Sequence, residues 1–377
     1  MSSPRIALDM RPVTTTRAGV ATYCCGLLYG LARVARDEEF LLYAKTAPPP
    51  DLDVTGPFQW RAMPASLWLP LAVPRALRAG HVELFHGTNH MAPPFAGVPT
   101  VITVHDLGAL TRPQYHTWRN RLLSVPQMLL SLHRARRLIA DSRYTARELI
   151  SRVPGLDPAR IRVIPLAPHP HLEPATPDAV RAVRDRLRLP ATFFLFLGAL
   201  GPNKNVVTLL RAVRQLTAAG DERARLVIAG AEGSHADDVR QEVRRLGLEQ
   251  RVQFAGYVAK EDLPAIFGAA TAFVFPSLFE GFGLPPLEAM ACGAPVICSN
   301  AASLPEVTGD AAILIDPASA DELAVALRNL LDDAELRARF RVAGLARAAS
   351  FSWERTARET LDVYHEAIAN ARAGVAP

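Results

Sequence analysis

The chain has 377 residues, of which 49% are hydrophobic and 21% are charged, a composition that excludes a disordered or low-complexity protein. At roughly 150 residues per domain, this length predicts two or three domains. No apolar run approaches the roughly 18 to 20 residues that cross a bilayer, and no signal-peptide pattern is present, so we expect a cytoplasmic protein. The net charge of +5 suits phosphorylated ligands or an anionic membrane, whereas the absence of a nucleic-acid-binding motif predicts no nucleic acid partner.

Short apolar strands alternate with amphipathic helices along the whole chain. In the first half the pattern predicts strands at Arg5–Asp9, Phe40–Ala44, Val82–Phe85, Thr100–Val104, Arg137–Ala140 and Arg160–Pro165. The helices between them are predicted at Val20–Val34, Trp118–Ala135 and Tyr144–Arg152. The second half predicts strands at Thr192–Leu197, Arg225–Ala229, Val252–Ala255, Ala272–Phe275, Pro295–Cys298 and Ala312–Ile315.

This alternation predicts an α/β fold with two doubly wound domains that face each other across a cleft. Continuous apolar strands that alternate with helices are typical of parallel sheets covered on both faces. The proline-rich stretch 167–177 interrupts the alternation and is the expected linker. We therefore expect domains at 1–172 and 178–350, with the final helix, 352–377, packing back on the first. Ligands of such sheets bind beyond the carboxyl ends of the strands.

The most informative stretch is 275–295, where a buried strand is followed by a glycine-containing loop and then by a helix. The helix begins at Pro285 or Pro286, since proline is favoured in the first turn. The free amides of Phe282, Gly283 and Leu284 would then form an anion site that the helix dipole reinforces. A glutamate stands on either side of this site, Glu280 in the loop and Glu288 in the helix.

This stretch resembles the E-x7-E signature of retaining GT-B glycosyltransferases, in particular those of family GT4, the glycosyltransferase group 1 that includes polysaccharide mannosyltransferases. Further segments resemble the family in the right order along nearly the whole chain. They are 104–107 (VHDL), 140–148 with Ser142, Thr145 and Glu148, 163–165, 197–205, 304–307, 314–317 and 351–353. The resemblance implies a GT-B fold of two Rossmann-like domains and a nucleotide-diphosphate sugar as the donor.

The resemblance also implies a role for each matching residue. Glu280, His105 and Lys204 would be the catalytic residues: Glu280 by the sugar hydroxyls, His105 near the reacting centre and Lys204 at the diphosphate. Glu288 would bind the ribose, and the backbone of Gly281–Leu284 would hold the sugar and distal phosphate. The remaining donor-binding positions would be Gly19 in the first domain, Gly198 and Asn205 in the phosphate loop, and Tyr257 and Val258 beside the base.

The implied reaction needs cations and dipoles at the phosphates, because a dianionic diphosphate leaves as the transfer proceeds. We expect lysine and helix amides to supply them, with no metal and no cofactor. The family's phosphate-loop arginine is absent, since Ala199 and Asn203 occupy its two usual positions. A catalytically weak sugar-nucleotide-binding homologue therefore stays open as an alternative. Glu280 could also act as a covalent nucleophile instead of supporting attack from the same face.

The donor and acceptor are predicted by weaker analogy. The style of the motifs resembles polysaccharide mannosyltransferases, which implies GDP-mannose, with UDP- or dTDP-sugars as alternatives. The acceptor would be a glycan or a lipid-linked glycan in surface polysaccharide synthesis. A basic amphipathic stretch, 119–137, could contact an anionic membrane at its inner face or could be an ordinary surface helix. The D-x-D pattern at Asp51 and Asp53 lies in a proline-rich segment and is read as a solvated loop.

Overall fold

The computed structural model describes residues 4–15, 19–50, 52, 55–115, 118–231, 233 and 235–374, without the side chains of 115, 118–121 and 123. The chain divides into two compact units. The first unit contains residues 1–167 together with 352–377, and the second unit contains residues 168–351.

A seven-stranded parallel sheet forms the centre of the first unit, with the order β3-β2-β1-β4-β5-β6-β7. In the central strand β1, Ile6, Ala7 and Leu8 are fully buried, as is Met10 directly after it. This is expected for a strand that is covered on both faces. The strands are β1 (Arg5–Asp9), β2 (Glu39–Ala44), β3 (Phe58–Ala62), β4 (Leu84–Gly87), β5 (Thr100–Val104), β6 (Arg137–Ala140) and β7 (Ile161–Val163).

Seven helices belong to the described part of the first unit, and the last of them comes from the end of the chain. They are α1 (Arg11–Thr15), α2 (Gly19–Val34), α3 (Val73–Ala79), α4 (Gly108–Thr111), α5 (Trp118–Arg134), α6 (Arg143–Arg152) and α15 (Trp353–Arg372). Helix α15 packs along α2, because Gly26 and Gly30 leave room for the ring and backbone of Trp353. A methyl group at either glycine would collide with Trp353.

The second unit is built on a six-stranded parallel sheet with the order β10-β9-β8-β11-β12-β13. The strands are β8 (Phe194–Leu197), β9 (Leu226–Ala229), β10 (Val252–Gly256), β11 (Ala272–Phe275), β12 (Val296–Ser299) and β13 (Ile313–Ile315). The helices are α7 (Pro177–Leu187), α8 (Val206–Ala218), α9 (Ala236–Arg245), α10 (Leu263–Ala269), α11 (Leu284–Ala291), α12 (Leu304–Thr308), α13 (Ala320–Asp332) and α14 (Ala334–Ala349).

The predicted alternation of strand and helix is confirmed, with one strand missed and one displaced. Strand β3 was not predicted because Phe58–Ala62 is an edge strand whose side chains are exposed or half-buried. Strand β4 begins two residues later than predicted and extends to Gly87. Within the described residues, no helix is both long enough and apolar enough to cross a membrane.

Candidate functional site

Two loops meet at the carboxyl edge of the second sheet and bring a lysine and a glutamate together. The loop 198–205 follows β8 and the loop 276–283 follows β11, and these two strands are neighbours in the sheet. Lys204 Nζ donates a hydrogen bond of 2.6 Å to Glu280 Oε1. Ser277 Oγ donates to the same oxygen, also at 2.6 Å. The predicted pair of catalytic side chains in this unit is therefore in direct contact.

Asn205 joins the two loops through its side chain. Its backbone has a positive φ of 55° and forms the N-cap of α8. The side-chain amide donates to the carbonyl oxygens of Pro276, at 3.1 Å, and of Pro317, at 2.7 Å. The amide oxygen accepts from Thr208 Oγ1 at 2.8 Å. Asn205, which was predicted to bind the donor, therefore uses its amide group to hold the lysine loop against the glutamate loop.

The second predicted feature of the site is the start of α11, which begins directly after Gly283. Gly283 has a φ of 114°, a conformation that favours glycine, and Pro285 and Pro286 occupy the first helical turn. Ser303 holds the preceding loop, because its hydroxyl lies 2.6 Å from the carbonyl oxygen of Phe282 and 2.9 Å from that of Glu280. Because Pro285 and Pro286 have no amide hydrogen, the backbone N–H groups that this turn can offer an anionic or polar ligand are those of Phe282, Gly283 and Leu284.

Glu288 lies on α11, half-buried among apolar neighbours. Burial raises the pKa of Glu288 to about 7, because the charged form is poorly solvated there. A carboxyl group in this state can accept hydrogen bonds from hydroxyl groups of a ligand or donate one itself.

The remaining predicted positions of the second unit lie at the ends of neighbouring strands. Gly198 follows β8. Its carbonyl oxygen lies against Gly230, so that a Cβ at position 230 would be only 2.5 Å from this oxygen. Tyr257 and Val258 follow β10; Tyr257 is 67% exposed and Val258 is buried. Gly281 is half-buried in the glutamate loop. These positions share the carboxyl edge of one parallel sheet with Lys204, Glu280 and Glu288.

In the first unit, His105 forms an ion pair with a carboxylate that was not predicted as its partner. His105 Nδ1 lies 2.5 Å from Asp141 Oδ2, and His105 Nε2 lies 2.9 Å from the carbonyl oxygen of Thr88. Burial lowers the pKa of His105, but Asp141, the Thr88 carbonyl and Asp106 together raise it by more, so the net pKa is above its ordinary value. The neighbouring Asp106 instead accepts from the backbone amide of Gly108 at 2.7 Å.

The pairing of β5 with β6 would have identified Asp141 as the partner of His105. Val104 at the end of β5 pairs with Ala140 at the end of β6, so the next residue of each strand, His105 and Asp141, stand side by side. Gly19, the other residue predicted for this unit, is exposed at the start of α2.

His86 is a histidine of β4 whose two ring nitrogens are both hydrogen-bonded. The side chain is fully buried at the end of β4. Its ring nitrogens lie 2.5 Å from the Tyr364 hydroxyl and 2.8 Å from Thr103 Oγ1. Burial lowers the pKa of His86 to about 3, so the ring is neutral at physiological pH. His86 is therefore a structural link between the sheet and α15.

Two other sequence features concern metal and membrane binding. Over the residues that the structure describes, no three His, Cys, Asp or Glu side chains form a group that could hold a metal ion. Asp51 and Asp53 of the D-x-D pattern lie outside the described residues. The side chains of Arg119 and Arg121, at the start of the basic stretch, are also outside them.

Two family profiles match the two halves of the chain. Residues 184–347 match the family described as glycosyl transferases group 1, and residues 17–167 match glycosyltransferase family 4. The chain is 36% identical over 291 residues to O-antigen chain mannosyltransferase B of Escherichia coli, which covers 77% of this chain and 76% of that protein. The chain belongs to glycosyltransferase family 4. It is accordingly a glycosyltransferase, as the sequence predicted.

Another relative of this glycosyltransferase carries a different activity in its name. The D-inositol 3-phosphate glycosyltransferase of Salinispora tropica is 33% identical over 324 residues. The match covers 78% of this chain and 66% of the relative, which is just under two thirds of its length.

Two solved structures confirm the predicted fold class, GT-B with two Rossmann-like domains. Sucrose-phosphate synthase from Thermosynechococcus elongatus aligns over 97% of this chain and 99% of that one, with a TM-score of 0.78 and 23% identity. Anabaena HepE in complex with UDP and glucose aligns over 96% and 99%, with a TM-score of 0.75 and 21% identity. At these identities the likeness concerns the fold alone.

Proposed function

We propose that this glycosyltransferase moves a hexose from a nucleotide-diphosphate sugar to a glycan or lipid-linked acceptor in surface polysaccharide synthesis, with retention of the anomeric configuration. The observation that carries the proposal is the contact of Lys204 with Glu280, 2.6 Å apart, beside the glycine turn that starts α11. One cation, one carboxylate and the backbone amides of the turn at Phe282, Gly283 and Leu284, at a single sheet edge, match the phosphate and hydroxyl groups of a sugar nucleotide.

Lys204 would bind the diphosphate and stabilise the charge that develops on it as it leaves. Removing one preorganised donor of this kind typically costs about 2.7 to 4 kcal/mol of transition-state stabilisation. Glu280 would then turn to the sugar hydroxyls, Glu288 to the ribose, and Tyr257 and Val258 to the base. With lysine and the amides of the glycine turn at the phosphates, the transfer would need no metal and no cofactor.

GDP-mannose is the first donor that we propose, supported by the relative named as an O-antigen chain mannosyltransferase. A UDP-sugar is the second candidate, and the observation that favours it is the HepE structure with UDP and glucose. A dTDP-sugar is a further alternative. The acceptor's class rests on the same relative, because its name includes the O-antigen chain.

A panel of nucleoside diphosphates tests the proposal. Calorimetric titrations with GDP, UDP, ADP and dTDP, first without metal and then with Mg²⁺, are expected to give tight binding of one of them in both conditions. Lys204→Ala should abolish most of that binding and lower kcat/KM by at least about tenfold. Lys45→Ala, which removes an exposed lysine of the first unit, is the matched control. Absence of binding to all four by the folded protein would favour the catalytically weak homologue.

The first unit also carries exposed apolar side chains, on α5 and in the loop before β5, that would suit a peripheral contact with an anionic membrane. Phe95 is 74% exposed and Leu122 is 66% exposed. The Arg134 guanidinium lies over the Phe95 ring, 4.7 Å from its centroid, and donates to Pro94 O. Exposed apolar side chains beside arginine are typical of surfaces that rest at a lipid headgroup layer.

Sedimentation with vesicles tests this contact. Vesicles of phosphatidylglycerol and phosphatidylcholine should carry the protein down, whereas pure phosphatidylcholine vesicles should not. Phe95→Ser combined with Leu122→Ser should reduce the bound fraction. Val325→Ser combined with Val342→Ser removes equally exposed apolar side chains from the second unit and should leave it unchanged. Equal binding of both double variants would overturn the membrane contact.

A further inference from the structure

The second unit has a cavity of about 210 Å³ at the edge of its sheet opposite to the candidate donor site. Its walls come from the end of α10, the turn after α11 and the first two turns of α14. Thr271 directly precedes β11 and Pro295 directly precedes β12, so the cavity lies at the amino edge of the sheet. The loops with Lys204 and Glu280 lie at the carboxyl edge, so this cavity is a separate place in the same unit.

Two arginines of α14, Arg337 and Arg341, line this cavity without a carboxylate partner. They are four residues apart, so their side chains lie on the same face of the helix. Within the part of the chain that the structure describes, neither guanidinium forms a salt bridge, and the residues that line the cavity include no acidic one. Like charges at this spacing repel each other, so an anion between the two arginines would stabilise this face of α14.

Each guanidinium is held by the protein through a single nitrogen atom. Arg337 Nη1 donates to the carbonyl oxygens of Leu330, at 2.6 Å, and of Leu331, at 3.2 Å. Arg341 Nη1 donates to the carbonyl oxygen of Gly293 at 3.3 Å. Over the described residues, Nε and Nη2 of both arginines have no hydrogen-bond acceptor. These two nitrogens form the edge of a guanidinium that binds two oxygens of a phosphate or carboxylate group.

Small residues leave room for a ligand beside the two arginines. The lining includes 268–270 (GAA), at the end of α10, and Ala338 of α14. Gly293 has no side chain where a Cβ would lie 3.1 Å from Arg341 Cζ, so the guanidinium packs directly on its backbone. The volume is below the roughly 300 to 1,000 Å³ of sites for drug-sized ligands, which favours a small anion.

The carbonyl groups at this edge of the sheet do not oppose an anion, because arginines already bind them. The carbonyl oxygen of Ala269, at the end of α10, accepts from Arg184 Nη1 at 3.3 Å. The carbonyl oxygen of Gly293, after α11, accepts from Arg341. Arg337 also lies in the first turn of α14, where the helix dipole adds to the positive potential.

We propose that this cavity binds the phosphate group of a small phosphate monoester between Arg337 and Arg341. The two guanidinium edges bind the phosphate oxygens, and the hydroxyl of Thr271, which also lines the cavity, can donate a further hydrogen bond. The site goes beyond the proposed transfer reaction and does not depend on the donor, since the cavity is at the other edge of the sheet.

Calorimetric titration of the full chain with inorganic phosphate and with glycerol 3-phosphate, at constant ionic strength, tests the proposal. The Lys204→Ala variant is used as the background, because it removes the lysine of the donor site, and it should still bind one equivalent of each. In this background, Ala338→Glu adds a carboxylate to the cavity lining and should weaken binding by at least about tenfold. Ala346→Glu is the matched control, since Ala346 is exposed on the same helix outside the cavity.

A second pair of variants tests the arginines themselves. Arg341→Gln should weaken phosphate binding by about tenfold or more, because it removes one of the two cations. Arg339→Gln makes the same change at an exposed arginine of α14 that does not line the cavity, and it should leave binding unchanged. Equal binding by Arg341→Gln and Arg339→Gln would overturn the proposal, as would the absence of phosphate binding by folded Lys204→Ala protein.

A vesicle assay distinguishes a soluble ligand from a lipid headgroup, which can carry the same phosphate group. A soluble ligand predicts that glycerol 3-phosphate binds and that vesicles of phosphatidic acid and phosphatidylcholine sediment Ala338→Glu and Ala346→Glu equally. If the vesicles sediment Ala346→Glu but not Ala338→Glu, and glycerol 3-phosphate does not bind, the phosphate belongs to a lipid. Neither result bears on the donor site, which is tested separately with nucleoside diphosphates.

Discussion

Lys204 Nζ and Glu280 Oε1 lie 2.6 Å apart, so the two charged groups of the donor site neutralise each other before any ligand binds. Their side chains are 19% and 16% exposed, and Ser277 adds a second hydrogen bond to the same carboxylate oxygen. A diphosphate that binds Lys204 therefore competes with Glu280 for the positive charge of the lysine.

Glu280→Gln tests this competition. The amide can still accept from Ser277, but it no longer neutralises Lys204, so the affinity for a sugar-free nucleoside diphosphate should rise by at least about threefold. Transfer should fall sharply at the same time, because Glu280 is proposed to hold the sugar. Calorimetry with GDP and UDP measures the first effect, and Glu335→Gln, on the exposed first turn of α14, is the control. Weaker diphosphate binding would show that the ion pair positions Lys204 for the ligand.

Glu288 should make the stability of the protein depend on pH. Burial raises its pKa from 4.5 to about 7, so the folded state holds this proton more tightly than the unfolded state does. The stabilising contribution is fully present below pH 4.5 and is lost as the pH rises through 7. Glu288→Gln has no such proton, so its Tm relative to the wild-type protein should increase between pH 5 and pH 8, by about 2 °C or more.

Thermal unfolding at several pH values checks this, with Glu335→Gln as the control, because that carboxylate is exposed. A Tm difference between Glu288→Gln and the wild-type protein that stays constant from pH 5 to pH 8 would contradict the raised pKa of Glu288.

Gly283→Ala should destabilise the second unit by more than a change of backbone conformation alone. The φ of Gly283 is 114°, and a Cβ there would lie 2.6 Å from Leu304 Cδ2, in a fully buried side chain. We expect a loss of about 2 to 3 kcal/mol in the free energy of unfolding. Gly247→Ala is the matched control, since Gly247 has a φ of 65° but no atom within 4 Å of its Cβ position.

Gly247→Ala should lower the free energy of unfolding by only about 1 kcal/mol, because it places a residue with a side chain in a left-handed backbone conformation. Urea unfolding of both variants measures the difference. Equal losses would mean that Leu304 moves aside freely and that the turn before α11 is less tightly packed than the distances indicate.

Tyr364→Phe should destabilise the first unit, because it leaves the buried Nδ1 of His86 without its partner at 2.5 Å. An unsatisfied buried polar group costs about 1 to 3 kcal/mol. Tyr29→Phe, which removes a half-exposed hydroxyl from α2, should be close to neutral in the same urea titration. A neutral effect of Tyr364→Phe would indicate that water replaces the hydroxyl.

Much of the fold could be predicted from the sequence because parallel strands buried on both faces are nearly continuous apolar runs. Strand β1, at Arg5–Asp9, was predicted with its observed limits. Strand β3 was missed because an edge strand needs less apolar surface, and Phe58–Ala62 mixes aromatic, polar and charged residues.

The loops 198–205 and 276–283 could also be predicted from the sequence, because the residues of each form one short contiguous motif. The partner of His105 was not, since Asp141 is 36 residues away and only the pairing of Val104 with Ala140 brings the two together. The contact of Ser303 with the glutamate loop could not be predicted for the same reason, since Ser303 belongs to a different strand–helix connection. The roles of the site residues stay predictions until the variants described above are measured.

The packing of α15 on α2 has a consequence for how the protein is made. During synthesis, residues 4–167 leave the ribosome well before Trp353, with all of 168–351 between them. Until then, the surface of α2 at Gly26 and Gly30 lacks its packing partner, Trp353, and the first sheet lacks one of its covering helices. We therefore expect chaperones to protect the nascent first unit until the twenty residues of α15 are translated.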